Sequence, residues 1–226
     1  MLKREDIVSG RIEALIIEAE RLGLMERLPP AERAASCRAA IARFPSRDNV
    51  WVFAYGSLIW SPSFHYVERR PAIIYGYHRR YCLWAMLGRG SPEQPGLMLG
   101  LEPGGACAGA IFRIAPEAVE SELGLLWDRE MISGAYFPRI LQARSGEQIF
   151  PAVAFAVNRS HERYAGRLSL AEVADVLAVA EGDLGSCCDY LFHTVTHLKE
   201  MGVSDRRLSR LKRLVEERRT RQAETR

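Results

Sequence analysis

The spacing of apolar residues changes period along this chain, and each change marks a change of element. Up to about residue 45 the spacing is helical. Ile7, Ile12, Leu15, Ile16 and Ala19 fall near one side of a helix, and "RLPPAERAASCRAAIARF" restarts one, with Pro30 suited to its first turn. From Trp51 the pattern turns to strand. "WVFAYGSLIW" is a continuous apolar run broken at Gly56-Ser57, and "AIIYGYHRRYCLW" (72–84) predicts a long strand with an irregularity at Gly76. "GLMLGLEPGG" and "CAGAIFRI" predict a hairpin turned at Pro103-Gly104-Gly105. The intervening "LGRGSPEQPG" (87–96) predicts a loop, of a length that often serves function.

A helix follows. Pro116 suits its first turn, Leu123, Leu126 and Trp127 form its apolar stripe, and Gly134 suits its stop. Residues 139–157 predict a hairpin turned at Ser145-Gly146. Residues 169–181 and 187–201 predict two helices, and "SDRRLSRLKRLVEERRTRQAETR" a last, basic one. Strands, a helix, strands and then helices do not make a βαβ repeat, which argues against a doubly wound parallel sheet. The expected organisation is a helical extension (1–48), a main α/β (α+β) domain (49–211) and a basic helical tail (212–226).

Composition narrows the class. With 48% hydrophobic residues in 226, the chain can bury one full core. No apolar run approaches the ~20 residues of a membrane helix, and the N-terminus lacks an apolar segment before a small-residue cleavage site. A soluble, cytoplasmic protein is expected. The five cysteines (Cys37, Cys82, Cys107, Cys187 and Cys188) include no Cys-x-x-Cys pair. They predict buried thiols rather than disulfides or zinc ligands, and the adjacent Cys187-Cys188 would need an electropositive setting to react. Net charge is +3, yet residues 206–226 hold nine basic and three acidic side chains. Without interleaved aromatics, and with Leu208, Leu211 and Leu214 at helical spacing, this tail reads as a solvated helix docked on the body rather than a nucleic-acid or membrane contact.

Two places invite chemistry. A glycine ending a buried strand, as in Tyr55-Gly56-Ser57-Leu58, permits a sharp turn whose amides can hold an anion, with the Ser57 hydroxyl beside them. The same residues also make an ordinary turn. Glu130 follows Leu126 and Trp127 by four and three residues and so lies on the apolar side of its helix, while Asp128 and Arg129 are expected to point elsewhere. Apolar surroundings and the helix C-terminus both favour the neutral carboxyl, which suits a proton carrier. The alternative is a boundary glutamate paired with Arg129 or Arg139. His193 and His197 are spaced i, i+4 but lack the glutamate and third ligand of a zinc motif. Ser57 lies outside any G-x-S-x-G, and no dinucleotide or Walker signature occurs.

Taken together, "VFAYGSLIW", "LGRGSPEQPGLMLGLEPGG", "LLWDREMISGAYFPR" and the segment from "YAGRLSL" to "SDRRLSRL" resemble the ChaC family of glutathione-specific γ-glutamylcyclotransferases, over residues 50–211. The resemblance implies a γ-glutamylcyclotransferase-like mixed barrel with flanking helices. It also implies a lyase of glutathione catabolism that releases 5-oxoproline and cysteinylglycine. Glu130 matches the family's catalytic glutamate. Tyr55, Gly56, Ser57 and Leu58 match its substrate loop, and Tyr136 a nearby tyrosine. Glutathione is then the partner, with no cofactor, metal, nucleic acid or membrane. Two alternatives stand beside this: a cyclotransferase for other γ-glutamyl amino acids or amines, and a non-catalytic γ-glutamyl-binding regulatory protein.

Overall fold

The computed structural model describes residues 4–224, apart from the side chain of Leu15; the first three residues of the expected helical extension and the last two of the tail lie outside it. Helices come first: α1 (Arg4–Val8), α2 (Arg11–Arg21) and α3 (Pro30–Ile41), the last with Pro30 at its first position as expected. The strands are β1 (Trp51–Ala54), β2 (Glu68–Ala85), β3 (Gly96–Arg113), β4 (Tyr136–Ser145) and β5 (Gln148–Val157), and α4 (Val119–Glu130) lies between β3 and β4. These five strands close into a barrel in the order β1-β3-β2-β4-β5. The barrel is mixed, because β1 runs antiparallel to β3 and parallel to β5. A strand paired on both edges and covered on both faces needs no polar side, so all four β1 side chains are apolar and buried.

Two compact units divide the chain. Among the described residues, one comprises 4–79 and Leu101–His161. Its core is built from Trp51, Phe53, Ile74, Ile111, Phe112, Trp127 and Phe155, all essentially inaccessible. The α4 helix is fixed to the barrel by Trp127, whose ring meets Phe155 edge-on at 5.1 Å. On its other side α4 meets the N-terminal helices. Arg4 pairs with Glu122, Arg33 Nε lies 3.4 Å from Asp128, and Trp127 Nε1 donates to Ser36 Oγ at 3.2 Å.

The other unit comprises Arg80–Gly100 and, among the described residues, 162–224. It holds α5 (Leu170–Val179), α6 (Cys187–Glu200) and α7 (Arg206–Glu224), with a two-stranded ribbon, β6 (Glu181–Gly182) and β7 (Gly185–Ser186), that the sequence pattern did not predict. The basic α7 packs through Leu208, Leu211 and Val215, so Val215 takes the buried place expected for Leu214. All five cysteines are buried free thiols, as expected.

The hairpin expected at Pro103-Gly104-Gly105 is absent. Residues 96–113 form one continuous strand, and β2 precedes it through the Gly/Pro-rich loop. Gly104 and Gly105 take φ values of 102° and 71°, which bend the strand without reversing it. Gly76 of β2 also has a positive φ, at 82°, and His78 Nδ1 lies 2.8 Å from the Gly104 carbonyl. Likewise Gly134 does not end α4. The helix stops at Glu130, and the segment after it is held by Leu28 N–H donating to Ile132 O (2.7 Å) and Asn158 Nδ2 donating to Gly134 O (3.1 Å).

Candidate active site

The break after β1 is a 3-10 turn, Ser57–Ile59, entered through buried Gly56. Its own bonds use the N–H groups of Ile59 (to Gly56 O, 2.9 Å) and Trp60 (to Ser57 O, 3.2 Å). The Ser57 and Leu58 amides precede that ladder, as the first amides of any helical turn do. Leu58 is buried and anchors the turn. Close approach of β3 is part of the design: a Cβ on Gly109 would lie 2.2 Å from Ala54 O, so only glycine lets the strand pass there.

Tyr55 is placed for support. Its hydroxyl donates to Phe155 O (2.9 Å), and its carbonyl accepts from Arg79 Nη1 (2.7 Å), with both side chains buried. Phe155 thus fixes two things at once: its ring holds α4 and its carbonyl holds the turn.

Glu130 closes α4. Its side chain retains 15% exposure. Burial pushes its carboxyl above the ordinary glutamate value of 4.5, against a smaller downward pull from Arg129. Arg129 does not point elsewhere. Its Nε lies 3.0 Å from Glu130 Oε1, with only 6% of the arginine side chain accessible. The same guanidinium donates to Ser57 Oγ (2.8 Å), to Ser61 O (2.5 Å) and to Ser63 Oγ. A long arginine stem can fold back along a helix, which i, i+3 spacing does not capture. Both expectations for Glu130 therefore hold in part: the carboxyl is raised by burial, and it is paired with an arginine.

One arginine therefore joins Glu130 to the Ser57 turn. Tyr136 opens β4 opposite Val157 and is half-buried. Residues 50–218 match the model of the ChaC-like protein family. The chain belongs to that family.

Among curated ChaC-like relatives, the Escherichia coli glutathione-specific γ-glutamylcyclotransferase is 38% identical over 175 residues, 77% of this chain and 76% of the relative. The human glutathione-specific γ-glutamylcyclotransferase 1 is 27% identical, over 71% and 77% of the two chains. A crystal structure of a yeast γ-glutamyl cyclotransferase specific to glutathione superposes with a TM-score of 0.69 at 24% identity, covering 75% of this chain and 96% of that one. That likeness supports the barrel with flanking helices as the ChaC-like fold.

The loop expected at 87–96 is held in the second unit. Arg89, buried, donates to Ser186 O (3.0 Å), Leu184 N–H donates to Gly88 O (2.7 Å), and Ser91 and Gln94 close a tight turn. His193 and His197 have ring centroids 6.1 Å apart, with His193 exposed. Among the described residues no three potential metal ligands gather. No helix there is long and apolar enough to cross a membrane. The pairing of Arg129 with Glu130 was one of the expected alternatives, but its reach to the Ser57 turn was missed from the sequence, as were Arg79, Ser61 and Ser63; the only signal for that reach was the small polar "SPS" after the turn.

Proposed function

We propose that this ChaC-like chain is a glutathione-specific γ-glutamylcyclotransferase that converts glutathione to 5-oxoproline and cysteinylglycine in the cytoplasm. The observation that carries the reading is a carboxyl raised by burial, on a side chain that keeps 15% exposure, and tied through Arg129 to a turn with two leading amides. Family membership and the names of its curated relatives support the substrate.

The substrate's own α-nitrogen is the nucleophile, so the protein's task is to hold the γ-glutamyl arm folded. The Ser57 and Leu58 amides and the Ser57 hydroxyl hold that arm and meet the oxyanion that develops on the γ-carbonyl. Gly56 and Leu58 shape the turn, Tyr55 fixes it to Phe155, and Tyr136 lines the approach. Glu130 takes a proton from the α-ammonium. The freed lone pair closes on the γ-carbonyl carbon, forming the ring C–N bond. As the bond to the cysteinyl nitrogen breaks, Glu130 returns its proton there. The second proton shed by the ring nitrogen ends on the same leaving amine, which departs as an ammonium, so Glu130 finishes ionised. Residues 49–211 carry this chemistry, with 1–48 and 212–226 as helical additions.

The test is to incubate the protein separately with glutathione, γ-glutamylalanine and oxidised glutathione, and follow 5-oxoproline by mass spectrometry. Lactam from glutathione alone is expected. Lactam from γ-glutamylalanine instead would move the specificity to other γ-glutamyl compounds. No lactam, with thermal stabilisation by 5-oxoproline, would make this a binding protein.

A further inference from the structure

Ser63 is the one non-glycine among the described residues with positive φ, at 60°. A left-handed serine costs free energy and persists only where its surroundings hold it. It is held by Arg129, which donates to Ser63 Oγ while contacting Ser61 O, Ser57 Oγ and Glu130 Oε1. All three guanidinium nitrogens are used: Nε on the carboxylate, Nη2 on the turn, Nη1 on the following loop. No point-like ammonium can span these three directions.

We propose that Arg129 is a positioning residue that locks the Ser57 turn and the Glu130 carboxylate into one geometry and orients the Ser57 hydroxyl toward substrate. This rests on the reading of Glu130 as the proton carrier. The second role follows from donor and acceptor rules. Arg129 Nη2 occupies a lone pair of Ser57 Oγ, so the hydroxyl proton is left to be donated outward, to an oxygen of the γ-glutamyl group. The first follows from charge. Among the described residues Arg129 is the charged group that acts on Glu130, and it favours the ionised form that accepts the proton. Loss of the cation moves Glu130 further up, so the base becomes available only at higher pH.

The test compares Arg129→Met, Arg129→Lys and Glu130→Gln with the parent, measuring kcat and KM on glutathione across pH together with thermal melting. In Arg129→Met the acidic limb of kcat/KM moves to higher pH and KM rises roughly 10- to 100-fold, the scale of losing bonds to a charged donor. Arg129→Lys keeps the cation and the limb but loses the fork, so KM rises while the limb stays. A purely structural arginine would lower the melting temperature without moving the limb. An unshifted limb with KM within about twofold of the parent in Arg129→Met would overturn the proposal. Should that variant not fold, a parental KM in Arg129→Lys would overturn it equally. A fully active Glu130→Gln would remove the proton-carrier reading itself. An inactive Glu130→Gln beside a parental Arg129→Met would remove only the role of Arg129.

Discussion

Two glutamates on α4, two turns apart, sit in low-exposure sites and face arginines, yet they are driven in opposite directions. Burial raises both carboxyls. At Glu122 that effect is outweighed by Arg4, which grips both oxygens, and by the His65 amide at 2.9 Å, so its carboxyl ends below the ordinary value. At Glu130 the single contact with Arg129 does not outweigh burial, and the carboxyl ends above it. Depth of burial and number of donors decide together: the Glu130 carboxyl is the more deeply desolvated and has the fewer donors. A glutamate saturated with donors is a rivet that joins α1, α4 and the loop at His65. A glutamate left short of donors is held ready to exchange a proton.

The largest effect should separate the two by activity. Glu130→Gln should lower turnover of glutathione by about 10²- to 10⁴-fold, the usual contribution of a positioned acid–base group. Glu122→Gln, assayed as folded protein, should stay near the parent. 5-oxoproline release measured on matched amounts of folded protein checks both.

Stability should then reverse the order. Glu122→Gln weakens a buried, doubly gripped carboxylate and should cost about 1–3 kcal/mol at pH 7 in urea unfolding. The native carboxyl of Glu122 lies low, so its contribution is present above the ordinary value of 4.5 and is lost as pH falls through the lower native value. The unfolding curves of parent and Glu122→Gln should therefore converge in acid. Glu130 lies high, so its ionised form costs stability as pH rises from 4.5 through the raised native value. Glu130→Gln should equal or exceed the parent in stability at neutral pH.

A smaller effect is expected at the support of the turn. Tyr55→Phe leaves the buried Phe155 carbonyl without its phenol donor and should cost about 1–2 kcal/mol, with a raised KM for glutathione. The smallest lies in the other unit. Ser169 and Glu172 form a capping box at the start of α5, and Ser169→Ala should cost about 1 kcal/mol with kcat and KM unchanged.

What was legible in the sequence follows from what local pattern encodes. The run "WVFA" announces a strand buried on both faces, and Glu130 announces itself by following Leu126 and Trp127 at helical spacing. A pairing of Arg129 with Glu130 was legible as an alternative, but its reach to the Ser57 turn was not, because spacing fixes where a side chain starts and not where a long flexible one ends. Nor was the path through Gly104-Gly105. Paired glycines permit a bend as readily as a reversal, and the choice belongs to a neighbouring strand, here through His78. The Glu122–Arg4 pair joins residues far apart in sequence, and no periodicity links them.

Carboxyl carbon shifts in glutamate-labelled protein, followed across pH and assigned with Glu122→Gln and Glu130→Gln, would compare the two sites in one spectrum. Glu130 should titrate above the ordinary glutamate value of 4.5 and Glu122 below it. The two titrating together, or in the reverse order, would contradict the assignment of Glu130 as the proton carrier and Glu122 as the rivet.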